Sequence, residues 1–254
     1  MHQPTLRVLQ VLEQIARNEG GQRLTDLSKA LQIPKSTLLP ILQTLCHQKY
    51  FSQDEMGRYA PGTALFSLGT AFSDGFPVLQ YVHEQLQQLV GELGETCYFG
   101  VLDEGLVLYL EKVDSPQPLR ILTSVGRRLP AYATGIGKAL LCELNENQLR
   151  ALYPNGLTPL TEHTVTDVTQ LHQQLIQARL EGYAWESEES TPHVRCFAVP
   201  IYKHGIVVAA ISVSIPLFRY EEEARQRIIS TIQATAAQMG TTFEQTNAHF
   251  GELF

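Results

Sequence analysis

Two short helical patterns separated by only Gln32-Ile33, with Pro34 opening the second, constrain the fold of this chain more than any other feature. Proline supplies no N–H and has a fixed φ, so it is tolerated at the start of a helix and not in its interior. The first pattern, Asp26–Leu31, places Leu27, Ala30 and Leu31 on one side, with Thr25 as its expected cap. The second, Lys35–Lys49, places Leu38, Ile41, Leu42 and Leu45 on one side. Neither is long enough to bury its apolar face alone. A third partner stands upstream in Leu6–Arg17, a broad apolar stripe stopped by Asn18-Glu19-Gly20-Gly21. Downstream, Tyr50-Phe51, the polar turn 53–57 and Arg58-Tyr59-Ala60 predict a small hairpin. Three helices with a tight second turn, then a hairpin, describe a winged helix-turn-helix.

The remainder of the chain follows a different rhythm. Residues 61–72 predict a linker helix and Phe76–Leu93 a longer amphipathic one. Apolar runs at Thr96–Leu102, Leu106–Val113 and Leu119–Val125 predict strands. The segment 126–138, Gly-Arg-Arg-Leu-Pro-Ala-Tyr-Ala-Thr-Gly-Ile-Gly-Lys, then places small residues just ahead of a helix over Ile136–Glu143. Backbone N–H groups at such a helix start have no intrahelical acceptor and attract an anion. Helices over Glu146–Tyr153 and Val168–Glu181 follow, then strands Tyr183–Glu186, Val194–Tyr202 and Ile206–Ile215, and a long helix Phe218–Phe250. Sequential hairpins with helices outside them give an α+β fold on an antiparallel sheet. The expected domains are 1–60, a winged helix-turn-helix; 61–75, a linker helix; and 76–254, the sheet domain.

Composition narrows the function classes. With 44% hydrophobic and 18% charged residues the chain is globular rather than disordered. No run reaches the ~18 apolar residues of a membrane span, and the first ten residues carry no signal-peptide pattern, so a cytoplasmic protein is expected. Residues 1–72 hold seven Lys/Arg against five Asp/Glu, whereas 73–254 hold twelve against twenty-one. The net charge of −7 is therefore +2 on the first part and −9 on the second, and the acidic balance does not exclude nucleic-acid binding by the first. Cys46, Cys97, Cys142 and Cys196 form no CxxC pair and are expected as free thiols.

Motifs in both parts, taken in order, resemble the IclR family of bacterial transcription regulators. They are Val8-Leu9-Gln10-Val11-Leu12, Leu31-Gln32-Ile33-Pro34-Lys35-Ser36-Thr37, Arg58-Tyr59, Gly94-Glu95-Thr96 and Gly126-Arg127-Arg128-Leu129-Pro130 with Gly137-Lys138. Gly182-Tyr183, Glu188-Glu189, Val194-Arg195-Cys196 and Ile211-Ser212-Val213-Ser214 complete the set. The resemblance implies a winged helix-turn-helix joined by a helix to a GAF-like effector domain. It implies a homodimer or dimer of dimers whose binding to double-stranded operator DNA is modulated by a small molecule, commonly a carboxylate. It implies neither an enzyme nor a cofactor, and a repressor is the expected output.

The helix opened by Pro34 is expected in the major groove, with Lys35, Ser36 and Thr37 at its leading end. Thr25 and Ser28 are candidates for phosphate contact, and Arg58 for the adjacent backbone or minor groove. Family members usually carry an arginine where this chain has Leu39-Pro40. A proline in a helix interior costs ~3 kcal/mol and predicts a kink. The alternative is thus an IclR-like ligand-binding protein with weakened or lost specific DNA binding. Carried over from the family, the effector site comprises the amides of Gly135 and Ile136, a polar floor of Glu186, Cys196, Ser212 and Ser214, and an apolar wall of Leu119, Ile121 and Leu129. His193 and Ile215 replace frequent glycines and, with Glu186 in place of an aspartate, are expected to crowd the cavity.

Other chemistries fit poorly. Cys196 with His193 lacks a third group to orient a nucleophile, and His193, Cys196 and Glu186 match no strong zinc spacing. The glycine segment is not a phosphate-binding P-loop, because Tyr132 and Ala139 stand where glycine and Ser/Thr are needed.

Overall fold

The structure is a computed structural model describing residues 1–16, 18, 20–75, 77–118 and 123–246, the side chains of 73 and 74 excepted. It divides into two compact units, Met1–Pro77 and Val78–Phe254.

In the first unit, α1 (Gln3–Ala16), α2 (Leu24–Leu31) and α3 (Lys35–His47) enclose a core of Val11, Ile15, Leu27, Leu38 and Leu42. The turn between α2 and α3 has a specific construction. Gln32 adopts a left-handed conformation (φ 54°) at the end of α2, and the Ser28 hydroxyl donates to the Ile33 carbonyl at 2.8 Å. Pro34 caps α3, and its carbonyl accepts from the amides of Thr37 and Leu38. The hairpin is β2 (Phe51–Gln53) with β3 (Arg58–Pro61). Its third strand, β1 (Gln22–Arg23), pairs with β3 and lies in a stretch where the sequence pattern showed none. Thr25 is not the cap of α2: the helix begins at Leu24, two residues before the expected start, and the Asp26 carboxylate accepts from the Arg23 amide at 3.2 Å. Carboxylate placement in the first turn serves the same orphan donors.

Proline at position 40 does not end α3, which continues to His47. Pro40 and Ser36, whose carbonyl loses its partner, are both exposed, so water can satisfy that group. Helix α4 (Thr63–Asp74) closes the unit, with Leu65 packed on the core and Phe66, Leu68 and Phe72 exposed.

The second unit is a six-stranded antiparallel sheet in the order β6-β5-β4-β9-β8-β7. These are β4 (Thr96–Asp103), β5 (Leu106–Val113), β6 (Arg128–Pro130), β7 (Ala184–Ser187), β8 (Val194–Lys203) and β9 (Ile206–Pro216). Alternation along the strands gives the sheet two buried faces. Phe99, Phe197, Ile211, Val213 and Ile215 face α5 (Val78–Leu93) and α9 (Arg225–Gln245). Tyr98, Tyr109, Ala198 and Ala210 face α6 (Gly135–Leu141) and α8 (Val168–Glu181), with α7 (Glu146–Leu152) beside them.

Two expectations change here. Of the strand expected over Leu119–Val125, 119–122 lie outside the described residues and 123–125 are not strand; among the described residues the sheet edge here is β6. The last helix starts at Arg225 rather than Phe218, because Pro216 precedes two short 3-10 turns, Leu217–Arg219 and Glu222–Ala224.

Candidate functional sites

On the first unit, Lys35 and Ser36 are exposed and Thr37 half-buried at the leading turn of α3. Thr25 is exposed at the start of α2, its hydroxyl donating to Asp26 at 3.4 Å. Ser28 holds the turn together through Ile33, so its hydroxyl hydrogen is already committed. Arg58 stands opposite Arg23 across the β1–β3 pair, and with Gly21, Thr25 and Asp26 the two arginines line one concave surface. Arg23 escaped the sequence reading because only the pairing of a two-residue strand places it beside Arg58. The arrangement presents cations and hydroxyls from a helix start and a wing to solvent, as a phosphate backbone requires.

The second site lies against the sheet in the effector unit. Strand register assembles it: Cys196 stands opposite Ser214 on β9 and opposite Glu186 on β7, and Ser212 opposite Tyr98 on β4. The Cys196 Sγ lies 3.1 Å from the Ser214 Oγ. Helix α6 closes the site from above. Thr134 is its cap, accepting from the Gly137 amide at 3.1 Å, and the Lys138 amide goes to the Thr134 carbonyl. The amides of Gly135 and Ile136 are the two at this end with no intrahelical acceptor. Glycine is required at Gly137, and Gly135 is tightly packed. A Cβ on Gly137 would sit 2.1 Å from the Ala131 carbonyl oxygen, and one on Gly135 3.0 Å from the Cβ of Cys196.

Leu129, Gly135, Ile136, Cys196, Ser212 and Ser214 line one cavity. Leu119 and Ile121 lie outside the described residues. Glu186 stands one layer behind, fully buried, its carboxylate accepting from the Glu189 amide at 2.8 Å and from the Ser190 hydroxyl at 3.3 Å. Burial pushes its carboxyl up to about 7. Lining residues that the sequence did not single out are Tyr98, Tyr109, Thr123, Thr134, Ser190, Thr191 and Val194. The two tyrosines meet edge to face at 5.3 Å, and burial pushes both phenols up. Around these groups the described residues leave about 20 Å³, room for about one water.

The crowding expected from His193 and Ile215 does not occur. His193 adopts φ 62°, which explains why glycine suits the position, and its ring is 87% exposed beside Glu188. Ile215 points into the α5/α9 core on the opposite face. Among the described residues no three His, Cys, Asp or Glu side chains are placed to hold a metal ion together. The four cysteines are free. Among the described residues no helix is long and apolar enough to cross a membrane.

The fold and the two sites define a transcription regulator with separate DNA-binding and effector-binding units. Residues 5–55 match the IclR helix-turn-helix domain and 71–241 the C-terminal domain of bacterial transcriptional regulator IclR. The chain belongs to the IclR family. It is 32% identical over 242 residues to the HTH-type transcriptional regulator KdgR of Escherichia coli, covering 92% of each chain. It is 34% identical to the transcriptional repressor IclR of the same organism, covering 87% of this chain and 82% of that one. These relatives are regulators and repressors, not enzymes. Among solved structures, an IclR-type regulator from Alicyclobacillus acidocaldarius superposes with a TM-score of 0.83 at 24% identity, over 95% of this chain and 98% of that one. An IclR homologue from Microbacterium hydrocarbonoxydans, complexed with 4-hydroxybenzoate, gives 0.79 at 23%, over 95% and 99%.

Proposed function

We propose that this regulator is a cytoplasmic repressor whose operator binding is altered by a small carboxylate held in the α6 cavity. The observation that carries the ligand class is the convergence of the Gly135 and Ile136 amides with the hydroxyls of Ser212, Ser214 and Thr134. Two amides with no intrahelical acceptor and several hydroxyls on one small volume suit a carboxylate, whose two oxygens accept. Leu129 and Val194 supply apolar wall, and no metal or cofactor takes part. A ligand larger than a water requires those walls to part, so binding and a change in the cavity's shape are linked.

On DNA, Lys35, Ser36 and Thr37 enter the major groove while Thr25, Arg23 and Arg58 grip phosphates. The Ser28 side chain serves the turn. Exposed Phe66, Leu68 and Phe72 on α4 support association of two copies into a homodimer, which can pair again as a dimer of dimers. Weak half-site contacts then multiply.

A salt-dependent gel shift against DNA upstream of the protein's own gene tests the reading. A discrete complex at moderate salt is expected, with Lys35→Ala costing about 1–3 kcal/mol or reducing the salt slope by about one. Only sequence-blind binding would favour the second reading, a ligand-binding protein in which Leu39 and Pro40 have removed specific contact.

A further inference from the structure

A second cavity lies on the other side of α6, between α8 and β7, the last strand of the sheet. It holds about 190 Å³, against about 20 Å³ for the cavity beside Cys196. At ~30 Å³ per water that is roughly six waters' volume, enough for a small sugar or polyol.

Its lining is built rather than incidental. Lys138 is 1% exposed, and its ammonium bonds to the Glu189 carboxylate, which uses one of three donors. The Gln174 side-chain oxygen is buried with no hydrogen-bond partner among the described residues. An unmatched buried amide oxygen costs about 1–3 kcal/mol unless something donates to it. Glu181 and Gln177 extend the polar wall, bonded to each other. At the mouth stands Trp185, 47% exposed, the single tryptophan of the chain. The charges are Lys138 against Glu189 and Glu181, so the lining carries one surplus negative charge and an anion is disfavoured.

We propose that this cavity is a second ligand site, taking a small neutral polyhydroxyl molecule. Hydroxyls donate to Gln174 and the glutamates and accept from Lys138, while a face of C–H groups rests on the Trp185 ring. The carboxylate cavity next door recognises the opposite pattern, an acceptor among donors. Glu189 links the two regions: it pairs with Lys138 through its side chain and, through its amide, with Glu186, which stands behind the other cavity.

Trp185, as the only tryptophan, makes the site self-reporting. The full chain is titrated with D-glucose while tryptophan emission is followed. A saturating change is expected, and Gln174→Ala, which trims a partly exposed α8 side chain, should raise the midpoint about tenfold, the loss of one hydrogen bond of ~1.4 kcal/mol. An unchanged melting temperature shows that this variant is folded, and Gln174→Leu serves in its place if it is not. A linear, unsaturating response to D-glucose overturns the proposal, as does an equal midpoint in the folded variant. Neither outcome bears on the carboxylate reading, which is read from acetate and 4-hydroxybenzoate thermal shifts.

Discussion

The two units place their candidate site residues in opposite surroundings. In the DNA-binding unit Lys35, Ser36 and Thr25 are exposed on short helices set by local signals, a proline start and a hydroxyl-held turn. In the effector unit Glu186, Cys196, Ser212 and Ser214 are buried and come together only through strand register across 10 to 28 residues of sequence. An exposed site tolerates substitution and loses affinity in increments. A buried one ties recognition to folding, so the same residues that bind also decide whether the domain stands.

The largest expected effect tests that tie. Gly137→Ala forces a methyl against the Ala131 carbonyl, and the effector unit should lose more than about 4 kcal/mol in denaturant unfolding, the range reserved for gross core disruption. A loss below about 1 kcal/mol would show that the α6 step is looser than its geometry.

Next in size is Glu186. Its folded value of about 7 lies above the ordinary 4.5, so between those values the native state holds a proton that the unfolded chain releases. Stability therefore falls as pH rises through that window. Glu186→Gln should remove this slope and, by pH 8, stand about 3 kcal/mol above the parent, the scale of such a shift at 1.36 kcal/mol per unit. Parallel melting curves of parent and variant from pH 4.5 to 8 would contradict it.

Smallest is Ser28→Ala in the exposed unit. Losing the bond to Ile33 should cost about 1 kcal/mol and lower the melting temperature of this unit by ~4–8 °C, without touching effector binding. Loss of operator contact with no loss of stability would instead make Ser28 a DNA ligand.

The contrast also explains what could be read in the sequence. Val168–Glu181 and Leu106–Val113 have the expected bounds because their periodicity is uninterrupted and Gly182 and Gly105 punctuate them. The start of α9 was misplaced because Leu217–Arg219 continues the apolar pattern while Pro216 redirects the backbone. Strand β1 and Arg23 were invisible because a two-residue strand has no period. In the cavity, Gly135 and Ile136 were legible from the glycine segment, whereas Tyr98, Tyr109 and Thr123 depend on pairings that spacing does not encode. Ile215 was assigned to the wrong face because the resemblance marks a position, and only the pleat fixes where its side chain points.

The central claim is that the buried cavity governs the exposed DNA surface. Operator affinity measured in one titration with and without 4-hydroxybenzoate or acetate, at a concentration that raises the melting temperature, tests it directly. The account predicts a change of fivefold or more, about 1 kcal/mol of coupling. An unchanged affinity with the carboxylate demonstrably bound would contradict it.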